Sequence, residues 1–320
     1  MMDSLDHQRA RLIHHTEALL SVPVDDLVPS PRTVGYRARI ELTPGPDGIL
    51  GYRGRRSHEA VPVPECTIAR PEINQILEQI PSAPKVLQRL ALRSNGSSVV
   101  IHAQCKDRHR GPVRRWLEEL PELGVPLALN GRGVRGDPTT VLSVGGVEHR
   151  LSPSTFYQVN LEINESLVNQ VVDWVEASDP TAVLDLFAGA GNLSLPLAAR
   201  GIPTTLIEAH PTAIKDARRT VARLNLKAEA RERKAEDYQA GDAFFDVAIL
   251  DPPRRGAGAV IDQVLLTRPR AVILVSCSTS AMASDLKRAA THGYRLSRLK
   301  LFEMFPHTGH VEALGLLSST

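Results

Sequence analysis

The stretch Val183-Leu184-Asp185-Leu186-Phe187-Ala188-Gly189-Ala190-Gly191-Asn192 decides how this chain is read. An apolar run that contains an acid is followed by a glycine-bracketed turn, and Leu193 to Arg200 then has the character of a helix. A strand, a tight turn and a helix start are the opening unit of a nucleotide-binding α/β domain. Gly189 and Gly191 let the backbone approach a ligand where a Cβ would obstruct it. The turn departs from the dinucleotide fingerprint G-x-G-x-x-G, because Ser194 stands where the third glycine would be. One such turn fits many proteins. Its weight comes from stretches at 208, 251 and 277, which recur at the spacing of later strand ends.

Outward from that turn, strands and helices alternate to the C-terminus. The apolar runs predict strands near 182–187, 203–208, 229–233, 245–250, 271–276 and 295–302, with a last one at 311–318. Helices are expected at 211–224, 258–267 and 280–291. This βαβ rhythm predicts a doubly wound, Rossmann-like parallel sheet with helices on both faces. On the N-terminal side, Ile163, Leu167, Val171, Trp174 and Val175 mark a helix that leads into it, ended by Asp179-Pro180.

The first half reads as a mixed α+β unit. An amphipathic helix is expected over 5–21, and strands over 36–43 and 49–54 joined by Pro44-Gly45-Pro46-Asp47-Gly48. A short strand near 59–63, a helix over 71–80 with Pro71 at its first position, a strand over 99–103 and a helix over 112–120 follow. Strands near 126–129, 140–144 and 147–151 complete the unit. The division expected is 1–160 for this α+β domain with its N-terminal helix and 161–320 for the α/β domain.

Bulk properties narrow the class. With 320 residues, 42% hydrophobic and 23% charged, the chain can bury two cores and is unlike a disordered polymer. The net charge of +2 excludes a global field for nucleic acid, so any basic surface must be local. Cys66, Cys105 and Cys277 form no CxxC pair, which points to a reducing cytoplasm. No signal-peptide core and no apolar run of about 20 residues is present.

In doubly wound sheets, ligands bind beyond the carboxyl ends of the strands. Asp185 and its glycine turn, Glu208, Asp251 and Cys277 all fall there. An acid at 208 can accept hydrogen bonds from ribose hydroxyls, and Pro252-Pro253 impose a rigid exit after Asp251. Taken singly, each has a plain structural role: turn glycines, a helix-capping Glu208, a small core residue at Cys277. Their place on one sheet edge favours a site. His307, His310 and Glu312 lack the helical spacing of zinc-protease ligands, so no metal is expected, and Glu312 reads instead as a base. Basic groups cluster in the first half at Arg37 and Arg39; Arg53, Arg55 and Arg56; Lys106, Arg108, Arg110, Arg114 and Arg115; Arg132 and Arg135. Beside a nucleoside-type site they point to RNA, although solvated charge explains any one cluster equally well.

Five stretches together resemble the S-adenosylmethionine-dependent RNA uridine-5-methyltransferase family, which makes 5-methyluridine in tRNA and ribosomal RNA. They are Ser154-Thr155-Phe156-Tyr157-Gln158-Val159-Asn160, the LDLFAGAGN turn, Asp251-Pro252-Pro253-Arg254, Val275-Ser276-Cys277-Ser278 and the FPHTGHVE run at 305–312. The resemblance spans about 154 to the C-terminus, and 36–80 more loosely. It implies a class I methyltransferase domain whose last strand is antiparallel. It implies Cys277 as nucleophile and Glu312 as base, with S-adenosylmethionine held by Gln158, Phe187, Asn192, Glu208, Glu236 and Asp251. Asp251 is counted with the catalytic set as well. RNA is the implied partner, and a cytoplasmic monomer is expected.

Two departures stand out. Many members carry an N-terminal oligonucleotide-binding barrel and a four-cysteine iron–sulfur site. The chain starts too late for either, and Cys66, which resembles the last cluster ligand, stands without its three partners, so neither is expected. Members usually have Asn-Pro after the nucleophile, where this chain has Ser278-Thr279. Two rivals keep the fold: an RNA-binding or remodelling protein that has lost methyl transfer, and an amino-group methyltransferase. Cys277 with Glu312 argues against the second, because methylation of an amino group requires neither.

Overall fold

A computed structural model of the chain describes residues 2–54, 60–239, 241 and 244–319. Arg55 and Arg56 lie outside the described residues.

The chain opens with helix α1 (Met2–Leu20) and a short strand β1 (Asp26–Val28). Seven strands follow: β2 (Arg39–Pro44), β3 (Leu50–Arg53), β4 (Ala60–Pro62), β5 (Leu87–Ser94), β6 (Val99–Cys105), β7 (Leu127–Leu129) and β8 (Arg132–Arg135). They form one sheet in the order β4-β3-β2-β5-β6-β7-β8. Helices α2 (Pro71–Leu77) and α3 (Arg110–Glu118) cover it through Ile73, Val113 and Leu117, against Ile40, Leu42, Leu90, Leu92 and Ile101. A hairpin, β9 (Thr140–Val144) and β10 (Val147–Leu151), and helix α4 (Leu161–Glu176) complete the first half. Asn160 caps α4 by accepting from the Ile163 amide at 3.4 Å, and its own amide reaches Ser30 and the Met304 carbonyl.

The second half alternates as expected: β11 (Val183–Leu186), α5 (Leu195–Ala199), β12 (Thr204–Glu208), α6 (Pro211–Leu224), β13 (Ala228–Glu232), β14 (Val247–Leu250), α7 (Ala259–Leu266), β15 (Ala271–Ser276), α8 (Thr279–Thr291), β16 (Tyr294–Phe302) and β17 (Glu312–Ser319). Val247 to Leu250 and Ala271 to Ser276 are buried throughout, as strands covered on both faces must be. The eight-stranded sheet has the order β1-β16-β17-β15-β14-β11-β12-β13. Only β17 runs antiparallel to its neighbours, wedged between β15 and β16.

The N-terminal boundary needs correction. The first thirty residues belong with the large sheet, not with the seven-stranded unit. Strand β1 pairs in parallel with β16, and Leu20, Ile13 and Leu27 join the core below it. Arg9 donates twice to Glu303, at 3.1 and 2.8 Å, and the Ser30 amide donates to the same carboxylate. The physical cause is the edge of β16, whose backbone β1 satisfies. The β9–β10 hairpin also buries Leu142, Val144 and Leu151 in the core of the large sheet. Residues 1–160 are therefore not one packed unit; the seven-stranded sheet accounts for about 36–135.

Candidate active site

Strand β11 delivers the chain into the glycine turn with Phe187 at φ 63°, a left-handed conformation outside glycine. Gly191, at φ 83°, is required by packing: a Cβ there would lie 2.5 Å from Leu195 Cγ and 2.9 Å from Leu206 Cδ2. Gly189 is different. A Cβ on it would meet no atom within 4 Å, so it faces open space. Its amide donates to Glu208 Oε2 at 2.8 Å, and the other Glu208 oxygen accepts from the His210 amide at 2.6 Å. The carboxylate predicted from the end of β12 thus pins the turn as well as lining the space above it. Asn192 exchanges two side-chain hydrogen bonds with Asn164 of α4, at 2.8 and 2.9 Å. Beneath the turn, Asp185 is buried with neither oxygen partnered. Burial pushes its carboxyl up to about 8, and the like charges of Asp251 and Glu208 add to the rise.

The other half of the site lies two strands away. Asp251 follows β14 directly, with Pro252 buried behind it and Arg254 exposed. The loop that carries them is clamped from α8: buried Asp285 accepts from the Ala257 and Gly258 amides at 2.8 and 3.0 Å. Cys277 follows β15 and is half-buried. The β15–β17 ladder ends at the pair Ser276 and Ala313. One step further along antiparallel strands sets Cys277 opposite Glu312, the first residue of β17. Glu312 is only 4% exposed.

The electrostatics follow from this crowding. Burial raises the Glu312 carboxyl well above its ordinary value, and Asp251 adds like-charge repulsion while Arg254 opposes. Burial also raises Asp251. The Cys277 thiol is pushed up by burial first and by Glu312 next, with Arg254 pulling it down. The pair therefore consists of a carboxylate able to hold a proton near neutral pH and a thiol whose ionisation is restrained.

Gln158, Phe187, Asn192, Glu208, Asp251, Cys277 and Glu312 all line one cavity of about 680 Å³. Glu236 is not brought to it. It sits after β13 in a neighbouring cavity of about 870 Å³, where Arg255 donates to its carboxylate. His307 and His310 are exposed while Glu312 is buried, and no cluster of three metal-ligating side chains occurs among the described residues. Cys66 is buried, its sulfur 3.2 Å from the Tyr52 hydroxyl.

Ser278 and Thr279 occupy the N-cap and first turn of α8, where the Ser278 hydroxyl accepts from the Ala281 amide at 3.3 Å. Asparagine and serine are interchangeable caps, and proline is favoured at the position Thr279 holds. The departure from Asn-Pro therefore keeps a side-chain cap on α8, directly after Cys277. Sequence reasoning missed Asn164 and Asp285. Asn164 had a faint signal, a second asparagine one helical turn after Asn160 amid apolar positions; Asp285 had none. Several of the basic residues are already paired. Arg39 and Arg89 share Glu41, Arg110 meets Asp107 and Arg114 meets Glu118.

A sheet with one antiparallel strand wedged beside the last parallel ones, and a glycine turn at its topological switch point, defines a class I methyltransferase fold. Residues 183–252 match the model of the methyltransferase domain family, and residues 225–320 that of the tRNA (Uracil-5-)-methyltransferase family. By the second match its C-terminal part is similar to the RNA uracil-5-methyltransferases. The chain is 32% identical over 292 residues to the 23S rRNA (uracil(1939)-C(5))-methyltransferase RlmD of Pectobacterium atrosepticum, an overlap of 84% of this chain and 63% of that protein. Against the enzyme of the same name from Aliivibrio fischeri it is 31% identical over 289 residues, covering 83% and 65%. The chain thus spans 63% to 65% of the length of these curated relatives. The crystal structure of the Pyrococcus abyssi tRNA (uracil-54, C5)-methyltransferase in complex with S-adenosyl-L-homocysteine shares the fold. Its TM-score is 0.80 at 24% identity, over 98% of this chain and 83% of that one.

Proposed function

We propose that the chain transfers a methyl group from S-adenosylmethionine to carbon 5 of a uridine in RNA, through a covalent Cys277 adduct at carbon 6. The observation that carries this reading is the β15–β17 register, which sets Cys277 opposite Glu312 on a cavity also lined by Glu208 and the glycine turn. The residues fit the cofactor. Gly189 leaves open space where a Cβ would stand, and Glu208 offers carboxylate oxygens to ribose hydroxyls at a strand end. Gln158, Phe187, Asn192 and Asp251 would complete its surroundings. Bound there, S-adenosylmethionine supplies an electrophilic methyl group on a sulfonium.

Carbon 5 of uracil is a poor nucleophile until a thiolate adds at carbon 6. The Cys277 thiolate forms that bond, and the ring's displaced electrons make an enolate reactive at carbon 5. Once carbon 5 is alkylated, Glu312 removes its remaining proton. The 5,6 double bond re-forms and the Cys277 thiolate leaves. Arg254, which lines the cavity beside Cys277, favours the thiolate electrostatically. A uridine within a duplex cannot enter such a pocket, so the target is unpaired or flipped.

The test is RNA containing 5-fluorouridine, whose carbon-5 fluorine cannot leave as a proton. With S-adenosylmethionine it is expected to trap a denaturation-resistant complex, mapped by mass spectrometry to Cys277. Methylation of ordinary RNA without any such complex would refute the covalent route.

A further inference from the structure

We infer that the outward face of α1, together with the 307–309 loop, is a docking surface for the single-stranded RNA that flanks the target uridine. The inference rests on the RNA substrate proposed above. His7, Arg11, His14 and His15 follow one another at steps of four, three and one along α1, and all four are exposed. That spacing gathers them on one helical stripe. The opposite face buries Leu5, Thr16 and Leu20.

The helix is held rigidly to the catalytic sheet. Arg9 grips Glu303 with two hydrogen bonds, and the Gln8 side chain donates to the Thr308 carbonyl. Between the stripe and the loop lies a groove of about 1060 Å³ lined by His7, Arg11, His14, His15, His307 and Gly309. Gly309 also lines the small cavity that contains Cys277 and Arg254. One residue therefore joins the groove to the reacting thiol.

The chemistry of the lining selects the partner. Among the described residues no acid lines the groove, and the nearby Asp6 is turned to Arg9 at 3.1 Å. Arginine and imidazole groups donate to phosphate oxygens, and their flat faces stack on unpaired bases. A strand whose target base is turned into the cavity at Cys277 would continue past Gly309 onto this surface.

The test is fluorescence anisotropy with labelled oligouridine of about 20 nucleotides, comparing the whole chain with its R11E/H14E/H15E variant. The variant is expected to bind about tenfold more weakly, with a shallower dependence on salt because a counterion-releasing contact is lost. Its affinity for S-adenosylmethionine and its melting temperature should match the unsubstituted chain. The milder R11Q/H14Q pair guards against a folding defect and should weaken binding in the same direction, by about threefold. If the unsubstituted chain binds the RNA and both variants bind it equally well, this inference fails alone. If the unsubstituted chain does not bind RNA, the proposed substrate fails with it.

Discussion

Exchanging Glu312 for glutamine separates the two halves of the proposed reaction, because the structure predicts effects of opposite sign on them. The amide keeps the shape of a side chain that is only 4% exposed, so the cavity should persist. It removes the base, and a general base typically contributes ~10²–10⁴ in rate, or about 2.7–5.5 kcal/mol of barrier. It also removes a negative charge that raises the Cys277 thiol. Elimination should therefore slow while addition becomes easier. In the unsubstituted chain, the proposed turnover should fall on the acid side at a pH above the ordinary carboxylate range, because Glu312 holds its proton to higher pH than an exposed glutamate. In Glu312→Gln no carboxyl is left at that position to titrate, and adduct formation, set by thiolate formation, should begin to rise at lower pH. The assay is a denaturing gel of protein with RNA and cofactor, run over roughly pH 6–9, around the ordinary thiol range. A protein–RNA band should accumulate with Glu312→Gln and be absent with Cys277→Ala. Normal turnover by Glu312→Gln would remove Glu312 from the role of base. A band formed by Cys277→Ala would overturn the mechanism altogether.

Two further outcomes are expected at the glycine turn. Glu208→Ala removes the acceptor of the Gly189 and His210 amides together with the proposed ribose partner, so calorimetry should find cofactor binding weaker by about 1.5–3 kcal/mol, and unchanged affinity would reject the assignment. Gly191→Ala forces a Cβ to within 2.5 Å of Leu195 and should cost about 1–3 kcal/mol in denaturant unfolding, whereas Gly189→Ala, facing open space, should cost less and act on cofactor affinity; equal destabilisation by both would contradict the packing described.

What the sequence made legible follows physical lines. The strands of the large sheet are continuous apolar runs bounded by turns, so β14 and β15 could be read directly, and the helices between them were found within a few residues of their ends. Strand β5 was not. Leu87-Gln88-Arg89-Leu90-Ala91-Leu92-Arg93-Ser94 consists largely of good helix formers. It is extended because it sits between β2 and β6, with Leu90 to Ser94 all buried, and that tertiary demand outweighs local preference. Strand β1 was invisible for a different reason. Three residues carry no period, and only the edge of β16, nearly three hundred residues away, makes them a strand. The same separation hid the bond from Arg9 to Glu303. At the site, the residue types were legible but their second duties were not: nothing in the string shows that Glu208 also fastens Gly189, or that Asp285 holds the loop beyond Asp251.

The arrangement of the site follows from the direction of one strand. A parallel strand brings its last residue to the ligand edge, as β11, β12, β14 and β15 do. An antiparallel strand brings its first. By entering between β15 and β16 in reverse, β17 sets Glu312 opposite Cys277 at the moment the chain returns to the sheet. A parallel β17 would have carried Glu312 to the far edge. Neighbouring strands lie about 5 Å apart, so the glycine turn after β11 and the thiol after β15 are separated by about 10 Å, with the end of β14 between them. Asp251 occupies that middle position. It stands between the proposed cofactor side and the proposed nucleophile, which would let one carboxylate belong to both sets. The role assigned to Asp251 thus follows from strand order, since the residue after β14 is flanked on one side by the cofactor turn and on the other by the thiol.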